Sequence, residues 1–194
     1  LLVLLMIGSA YAVLRALDSV HPVRWLALGG TLVGLAFLTK MLQAFLVLPA
    51  LALVYLLFAA VPVWRRLGHL LVAFGAMIAS AGWYIAIVEL WPAGSRPYIG
   101  GSTGNSILEL TLGYNGLGRI TGDETGSVGG GGGWGTTGIL RMFGTENGGQ
   151  VAWLIPAALI LGVATYFFSR RARAGVTLWL VWLVVTLLTF SFMA

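Results

Sequence analysis

Apolar residues fill this chain on both sides of a single polar stretch. Between Trp91 and Gln150 the sequence turns to Gly, Thr, Asn, Tyr and a few charges, whereas the segments before and after it read as membrane-spanning helix. Hydrophobic residues make up 59% and charged residues 9%, with a mean hydropathy of +0.95, against roughly 25% charged in a soluble domain. Such a chain can hide its apolar surface only in lipid. The expected fold class is all-α, a polytopic transmembrane helical bundle, and the polar stretch is where it meets water-soluble or headgroup chemistry.

The net charge of +5 does not point to nucleic acid. The basic residues sit in short clusters between apolar runs, where they act as topology determinants, so no nucleic-acid partner is expected. The chain has no cysteine, which excludes disulfides and thiolate metal sites. Its first residue lies inside an apolar run without a charged n-region, and Thr189 to Ala194 stop inside another. On these grounds the sequence reads as an internal fragment.

A helix needs about 20 apolar residues to cross about 30 Å of hydrocarbon, which gives about six spans. They lie near 1–14, 24–39, 42–63, 68–91, 151–168 and 175–194. The organisation expected is four spans in 1–91, a Gly-rich loop over 92–150 and two further spans in 151–194. The second junction needs an argument. Between Arg24 and Trp64 the only charged side chain is Lys40, and one straight helix of that length would measure about 60 Å. A break at Lys40 returns Arg65 and Arg66 to the side of Arg24, whereas a break at Pro49 buries the ammonium at about 3 kcal/mol. The break belongs at Lys40. Arg15, Arg24, Arg65, Arg66, Arg170, Arg171 and Arg173 then share one face, cytoplasmic by the positive-inside rule. Lys40 and the 92–150 loop fall on the extracytoplasmic side.

Within the loop, Pro92 and Pro97 stop the preceding helix, and Ser106 to Leu112 is periodic enough for one or two helical turns with Glu109 on the wet side. Gly113 to Arg119 reads either as a solvated turn or as a binding loop whose glycines permit close backbone approach. The five glycines Gly129 to Gly133 lack the Lys-Ser/Thr of a phosphate loop and read as a linker. Ile139 to Phe143 reads as an interfacial helix bearing a cation. Trp83, Tyr84, Trp91, Trp134 and Trp153 form an aromatic belt.

Lys40 is the sharpest single residue. A lone ammonium at headgroup level either snorkels or clamps a lipid phosphate as a point charge, with Gln43 one helical turn away as hydrogen-bond partner. His21 and His69 lie among arginines without carboxylate partners, so no metal site is expected from them.

Four segments in register resemble a known family: Gly34-Leu-Ala-Phe-Leu-Thr-Lys40-Met-Leu-Gln-Ala44 with Leu48-Pro-Ala50, Arg96-Pro-Tyr-Ile-Gly-Gly-Ser-Thr-Gly-Asn105-Ser-Ile-Leu-Glu-Leu110, Gly113-Tyr-Asn-Gly-Leu-Gly-Arg119, and Gly148-Gly-Gln-Val-Ala-Trp-Leu-Ile-Pro156. They are similar to bacterial membrane glycosyltransferases of family 39, in the branch labelled dolichyl-phosphate-mannose-protein mannosyltransferase-like, a relative of the lipid A aminoarabinose transferase. The resemblance implies a GT-C architecture, extracytoplasmic inverting sugar transfer, a polyprenyl-phosphate-linked sugar as donor, and a protein, lipid or wall polymer as acceptor. It also implies a key acid in a first external loop, expected upstream of this sequence, so the catalytic residue is left unassigned and the fragment alone is expected to be inactive.

Under this reading Lys40 and Gln43 meet the donor phosphate, Arg96 and Arg119 serve the same phosphate or position the acceptor, and Tyr98, Asn105, Tyr114 and Asn115 contact sugar hydroxyls. No cofactor is expected, and a divalent metal is left open. Two rival classes stand beside it: a transporter or flippase segment, which should show repeated halves with broken helices, and a non-catalytic membrane scaffold whose outer loop binds a partner.

Overall fold

The computed structural model describes residues 1–113, 137–144 and 148–193. They are helical, with no strand among the described residues. In chain order the helices are α1 (Leu2–Asp18), α2 (Pro22–Lys40), α3 (Leu48–Phe58), α4 (Val63–Leu90), α5 (Ile107–Leu112), α6 (Leu154–Phe168) and α7 (Arg173–Phe192), with a 3-10 segment Met41–Val47 joining α2 to α3. Among the described residues three stretches are long and apolar enough to cross a membrane: Pro22–Phe58, Val63–Leu90 and Arg170–Phe192. Leu154–Phe168 is a shorter apolar helix. Pro22–Phe58 covers the expected spans near 24–39 and 42–63, Val63–Leu90 the one near 68–91 and Arg170–Phe192 the one near 175–194, whereas α1 has 17 residues and Leu154–Phe168 has 15.

The chain divides into two compact units. The first comprises Leu1–Trp83 and Leu161–Val185. Lipid tails are as apolar as leucine, so helices here associate through close van der Waals packing and interhelical hydrogen bonds. The sequence supplies small residues for this. On α1 the buried face is Met6, Ser9, Ala10, Ala12, Val13 and Ala16, and on α2 it is Leu26, Gly29, Gly30, Val33, Gly34, Ala36 and Phe37. A side chain at Gly29 would meet Ala12, Val13 and the Ser9 carbonyl, and one at Gly8 would meet Leu32. These pairings run in opposite directions along the chain, so α1 and α2 are antiparallel.

The α2–α4 contact is tighter and runs the other way. A Cβ at Gly30 would collide with the Ala73 carbonyl, and one at Gly34 with the Ser80 hydroxyl and the Met77 carbonyl. Ser80 Oγ also donates across to the Thr31 carbonyl at 3.1 Å. The register advances together on both helices, so α2 is parallel to this part of α4.

That parallel pair requires α3 to return between them, and the turn that allows it is at the end of α2. Met41 has φ 47 and ψ −132, a conformation that L side chains rarely adopt. Beyond it the 3-10 segment folds back far enough for Phe45 to stack on Phe37, with ring centroids 5.3 Å apart. In one continuous helix residues eight apart would be separated by about 12 Å along the axis. Pro22–Phe58 is thus bent back on itself at Lys40 and Met41.

At its far end α3 is tied to the start of α4. The buried Tyr55 hydroxyl lies 2.7 Å from His69 Nδ1, and Arg66 donates through Nε to the Val61 carbonyl at 2.7 Å and through Nη1 to the Leu56 carbonyl. Arg15 stacks over Trp25, 5.7 Å from the ring centroid, so the C-terminal end of α1 and the N-terminal end of α2 share this arginine-rich end. Elsewhere in the unit, α6 and α7 form a hairpin. Arg173 sits 5.3 Å over the Tyr166 ring and donates to its carbonyl at 3.0 Å, and Gly162 faces Leu180.

The second unit comprises Tyr84–Ile160 and Thr186–Ala194. It holds the end of α4, the loop into α5, a 3-10 turn Arg141–Phe143, a π-turn Gly148–Ala152 and the end of α7. The interfacial helix expected over Ile139 to Phe143 is only that 3-10 turn. Its cation has a local use: the Arg141 guanidinium donates to the Phe190 and Met193 carbonyls, and Gly138 N–H donates to the Ser191 carbonyl at 2.9 Å. These cover carbonyls at the C-terminal end of α7, which have no partner within the helix itself. Trp153 Nε1 donates to the Gln150 carbonyl at 3.2 Å where the chain enters α6.

Candidate functional site

Lys40 is the last residue of α2, with its side chain exposed. Among the described residues its ammonium makes no hydrogen bond or ion pair. A cation in the last helical turn also suits the helix dipole. Gln43 is half-buried in the 3-10 segment beyond the turn. Because the chain reverses at Met41, Gln43 is not one turn further along the same helix, as a continuous helix would have placed it.

In the second unit the organising side chain is Glu89, one residue before the end of α4. Its Oε1 accepts from the Ser106 hydroxyl at 2.7 Å and from the Leu108 N–H at 3.1 Å, and its Oε2 lies 3.4 Å from Arg96 Nη1. Arg96 further donates through Nη2 to the Glu89 carbonyl at 2.5 Å and through Nε to the Trp91 carbonyl at 2.9 Å. The guanidinium expected to meet phosphate is therefore engaged with the end of α4. As a partly exposed ion pair this contact contributes little by itself, but its hydrogen bonds fix the exit of the chain from the helix.

The remainder of the loop is closed by local chemistry. Ser106 is the N-cap of α5 and accepts from the Glu109 N–H at 3.1 Å, the Ser-x-x-Glu start signal of a helix. The Glu109 carboxylate turns back to accept from Thr103 N–H at 2.8 Å and Gly104 N–H at 3.0 Å. Asn105 adopts φ 52, and its side-chain oxygen accepts from the Ile99 N–H at 3.0 Å. Ser102 donates to the Ile99 carbonyl through both its backbone N–H and its hydroxyl. Asn105, proposed from sequence to touch sugar, thus spends its carboxamide oxygen on the loop, whereas Tyr98 stands 85% exposed.

The backbone N–H groups of Gly104 and Thr103 hold the Glu109 carboxyl below the usual glutamate range. A carboxylate depressed in the folded state stabilises the turn above its ordinary pKa of about 4.3 and loses that contribution as pH falls through the lower folded value. Amide exchange at Thr103 and Gly104, corrected for intrinsic rates, is accordingly expected to lose protection on acidification below about pH 4. In Glu109→Gln the protection should be low and independent of pH. An acid response equal in the variant and the parent would show that another group controls the turn.

The structure thus brings Arg96, Tyr98 and Asn105 into one loop, with Lys40 and Gln43 in the other unit. Tyr114, Asn115 and Arg119 lie outside the described residues, as do the five-glycine tract and Trp134. Sequence reasoning passed over Glu89. Its signal is an acid in the last turn of an apolar helix followed by Arg96, a pattern legible only once the loop is known to fold back onto the helix end. Among the described residues no group of three or more His, Asp or Glu side chains is placed to hold a metal ion.

Comparison with known proteins agrees with the membrane-bundle reading. Residues 1–85 match the family described as Dolichyl-phosphate-mannose-protein mannosyltransferase. The chain is 44% identical over 123 residues, 63% of its length, to the Bacillus subtilis (strain 168) protein named "Putative mannosyltransferase YycA", covering 18% of that protein. It is 43% identical over 102 residues, 53% of its length, to "Putative mannosyltransferase YkcB" of the same organism, covering 14% of it. The chain therefore spans less than a fifth of the length of these relatives. No solved structure gives a significant match. Residues 1–85, which hold α1 to α3, most of α4 and the reversal at Lys40, are thus the part of this chain that is similar to the dolichyl-phosphate-mannose-protein mannosyltransferase family.

Proposed function

We propose that this chain is part of an integral membrane glycosyltransferase that moves a sugar from a polyprenyl-phosphate donor to an acceptor on the extracytoplasmic face. The observation that carries the proposal is the exposed Lys40 ammonium at a chain reversal inside the family-matched region. The names of the Bacillus subtilis relatives support mannosyl transfer.

The chemistry asks for such a cation. When the anomeric carbon leaves the lipid phosphate, the departing oxygen gains negative charge, and a fixed positive group facing it lowers the barrier. Lys40 supplies a point charge on a flexible stem, suited to a phosphate rather than to planar recognition. Gln43 lies just beyond the turn and supplies a neutral donor to the same phosphate. A single displacement at the anomeric carbon inverts its configuration. The acceptor hydroxyl must be deprotonated by a base, and in this reading the base lies outside the described residues. Tyr98, with Tyr114, Asn115 and Arg119, is assigned to the sugar and acceptor side.

Sidedness follows from charge. Arg15, Arg24, Arg65 and Arg66 mark one end of the first unit as cytoplasmic, so Lys40 at the opposite end of α2 faces outward. The segment that follows α4 is assigned to the outer side by the positive-inside rule.

The test is transfer by the intact enzyme in membranes supplied with radiolabelled polyprenyl-phosphate sugars. Label should move from lipid to a non-lipid or second-lipid acceptor with inverted anomeric configuration. Failure of every polyprenyl-phosphate sugar to donate would remove the transferase reading.

A further inference from the structure

We infer that Glu89 is a positioning residue, and that the loop it fixes presents Tyr98 as a stacking platform for a sugar ring. The inference rests on the transferase reading for the identity of the ligand, but its structural part stands on the loop itself. Glu89 joins the end of α4 to residues 7, 17 and 19 positions further along the chain, through Arg96, Ser106 and Leu108. Arg96 closes the same junction with three donors directed at two carbonyls and one carboxylate. Between these anchors, Asn105 holds Ile99, and Glu109 holds Thr103 and Gly104.

In the loop pinned this way from both ends and across its middle, the most exposed large side chain is Tyr98. Tyr98 is 85% exposed, and a Cβ at Gly100 would lie 3.5 Å from its ring, so the absent side chain leaves that flank of the ring open. An amphipathic ring held outward at low conformational cost is suited to recognition by stacking. A sugar offers it a face of C–H groups, and that sugar belongs either to the donor or to the acceptor. Glu89 itself has both carboxylate oxygens engaged, so it acts through the loop and not on the reacting atoms.

The experiment uses the intact enzyme in nanodiscs and two readouts, hydrogen exchange of the 97–106 segment and the separate values of KM and kcat. Glu89→Gln and Arg96→Lys are each expected to raise exchange at Ile99 and Ser102 and to raise KM for one substrate about tenfold, with kcat changed less than about twofold. Lysine should fail to substitute because an ammonium cannot reproduce the planar fork. Tyr98→Ala should raise the same KM without altering exchange, and Tyr98→Phe, which keeps the ring, should raise it less than Tyr98→Ala. The substrate whose KM moves, donor or acceptor, identifies the sugar.

Faster exchange with both KM values intact would overturn the platform. A changed KM with exchange unaltered would show that Glu89 meets the substrate directly and would overturn the positioning role. If the parent enzyme transfers no sugar at all, the transferase reading fails and the platform with it. Exchange in Glu89→Gln would still decide whether the clasp exists.

Discussion

Valine at Gly30 or Gly34 is expected to destabilise the bundle strongly. A Cβ at Gly30 would overlap the Ala73 carbonyl, which is backbone and cannot rotate aside, and one at Gly34 would overlap the Met77 carbonyl as well as Ser80 Oγ. Overpacking a well-filled interior costs about 1–3 kcal/mol when side chains can adjust. Here α2 and α4 must separate, which also breaks the Ser80 to Thr31 hydrogen bond, so a loss of about 3 kcal/mol or more is expected from each change. That is a large share of the roughly 5–15 kcal/mol that holds a typical domain. Gly68 and Gly75 lie on the same helix α4 with open space where a Cβ would stand. Alanine at either is expected to leave stability unchanged or raise it by up to about 1 kcal/mol. Thermal unfolding of the intact protein in detergent separates the two pairs, and equal behaviour of all four positions would refute the α2–α4 packing.

Lys40→Met is the second large effect, and it falls on catalysis. Removing one preorganised group that stabilises developing negative charge typically costs about 10²–10³ in turnover. Methionine keeps most of the apolar stem and removes the charge. Lys40 is exposed, with no hydrogen bond or ion pair among the described residues, so the fold and membrane insertion should be preserved. Turnover is therefore expected to fall at least about 100-fold at unchanged expression and melting temperature. Arginine at the same position should recover part of it, since charge is kept but the compact ammonium is not. Unaltered turnover in Lys40→Met would leave the residue as a helix-end cation and no more.

The reversal at Lys40 illustrates what the sequence could show. A charge balance alone placed a break there, because an ammonium inside a span is expensive, and the Phe37–Phe45 stack and the parallel course of α2 and α4 are observed consequences of a turn at that point. The mode of turning was hidden. Nothing in Met41 announces a positive φ, and only with it does Gln43 leave the helical face of Lys40. The glycines of α2 were visible as part of a motif, but their purpose depends on Ala73 and Met77, some 43 residues away in each case.

The loop divides in the same way. The short helix after Ser106 was legible from apolar spacing, and its start is a local signal, Ser106 with Glu109. The Glu89 clasp was not, because its partners are set by how the chain folds back after Pro92, which propensity does not encode. Arg96 was singled out for its charge and Asn105 for its polarity. In the structure both serve the backbone first, which is the commoner fate of a polar side chain in a closed loop.

The proposed transferase function requires Lys40 and the segment after α4 to face the same side of the membrane. Single cysteines at Met41 and Tyr98, in the intact enzyme freed of other accessible thiols, can be treated in whole cells with a membrane-impermeant maleimide. Both positions are expected to label from outside the cell without permeabilisation. Labelling of one from outside and the other only after lysis would contradict the account.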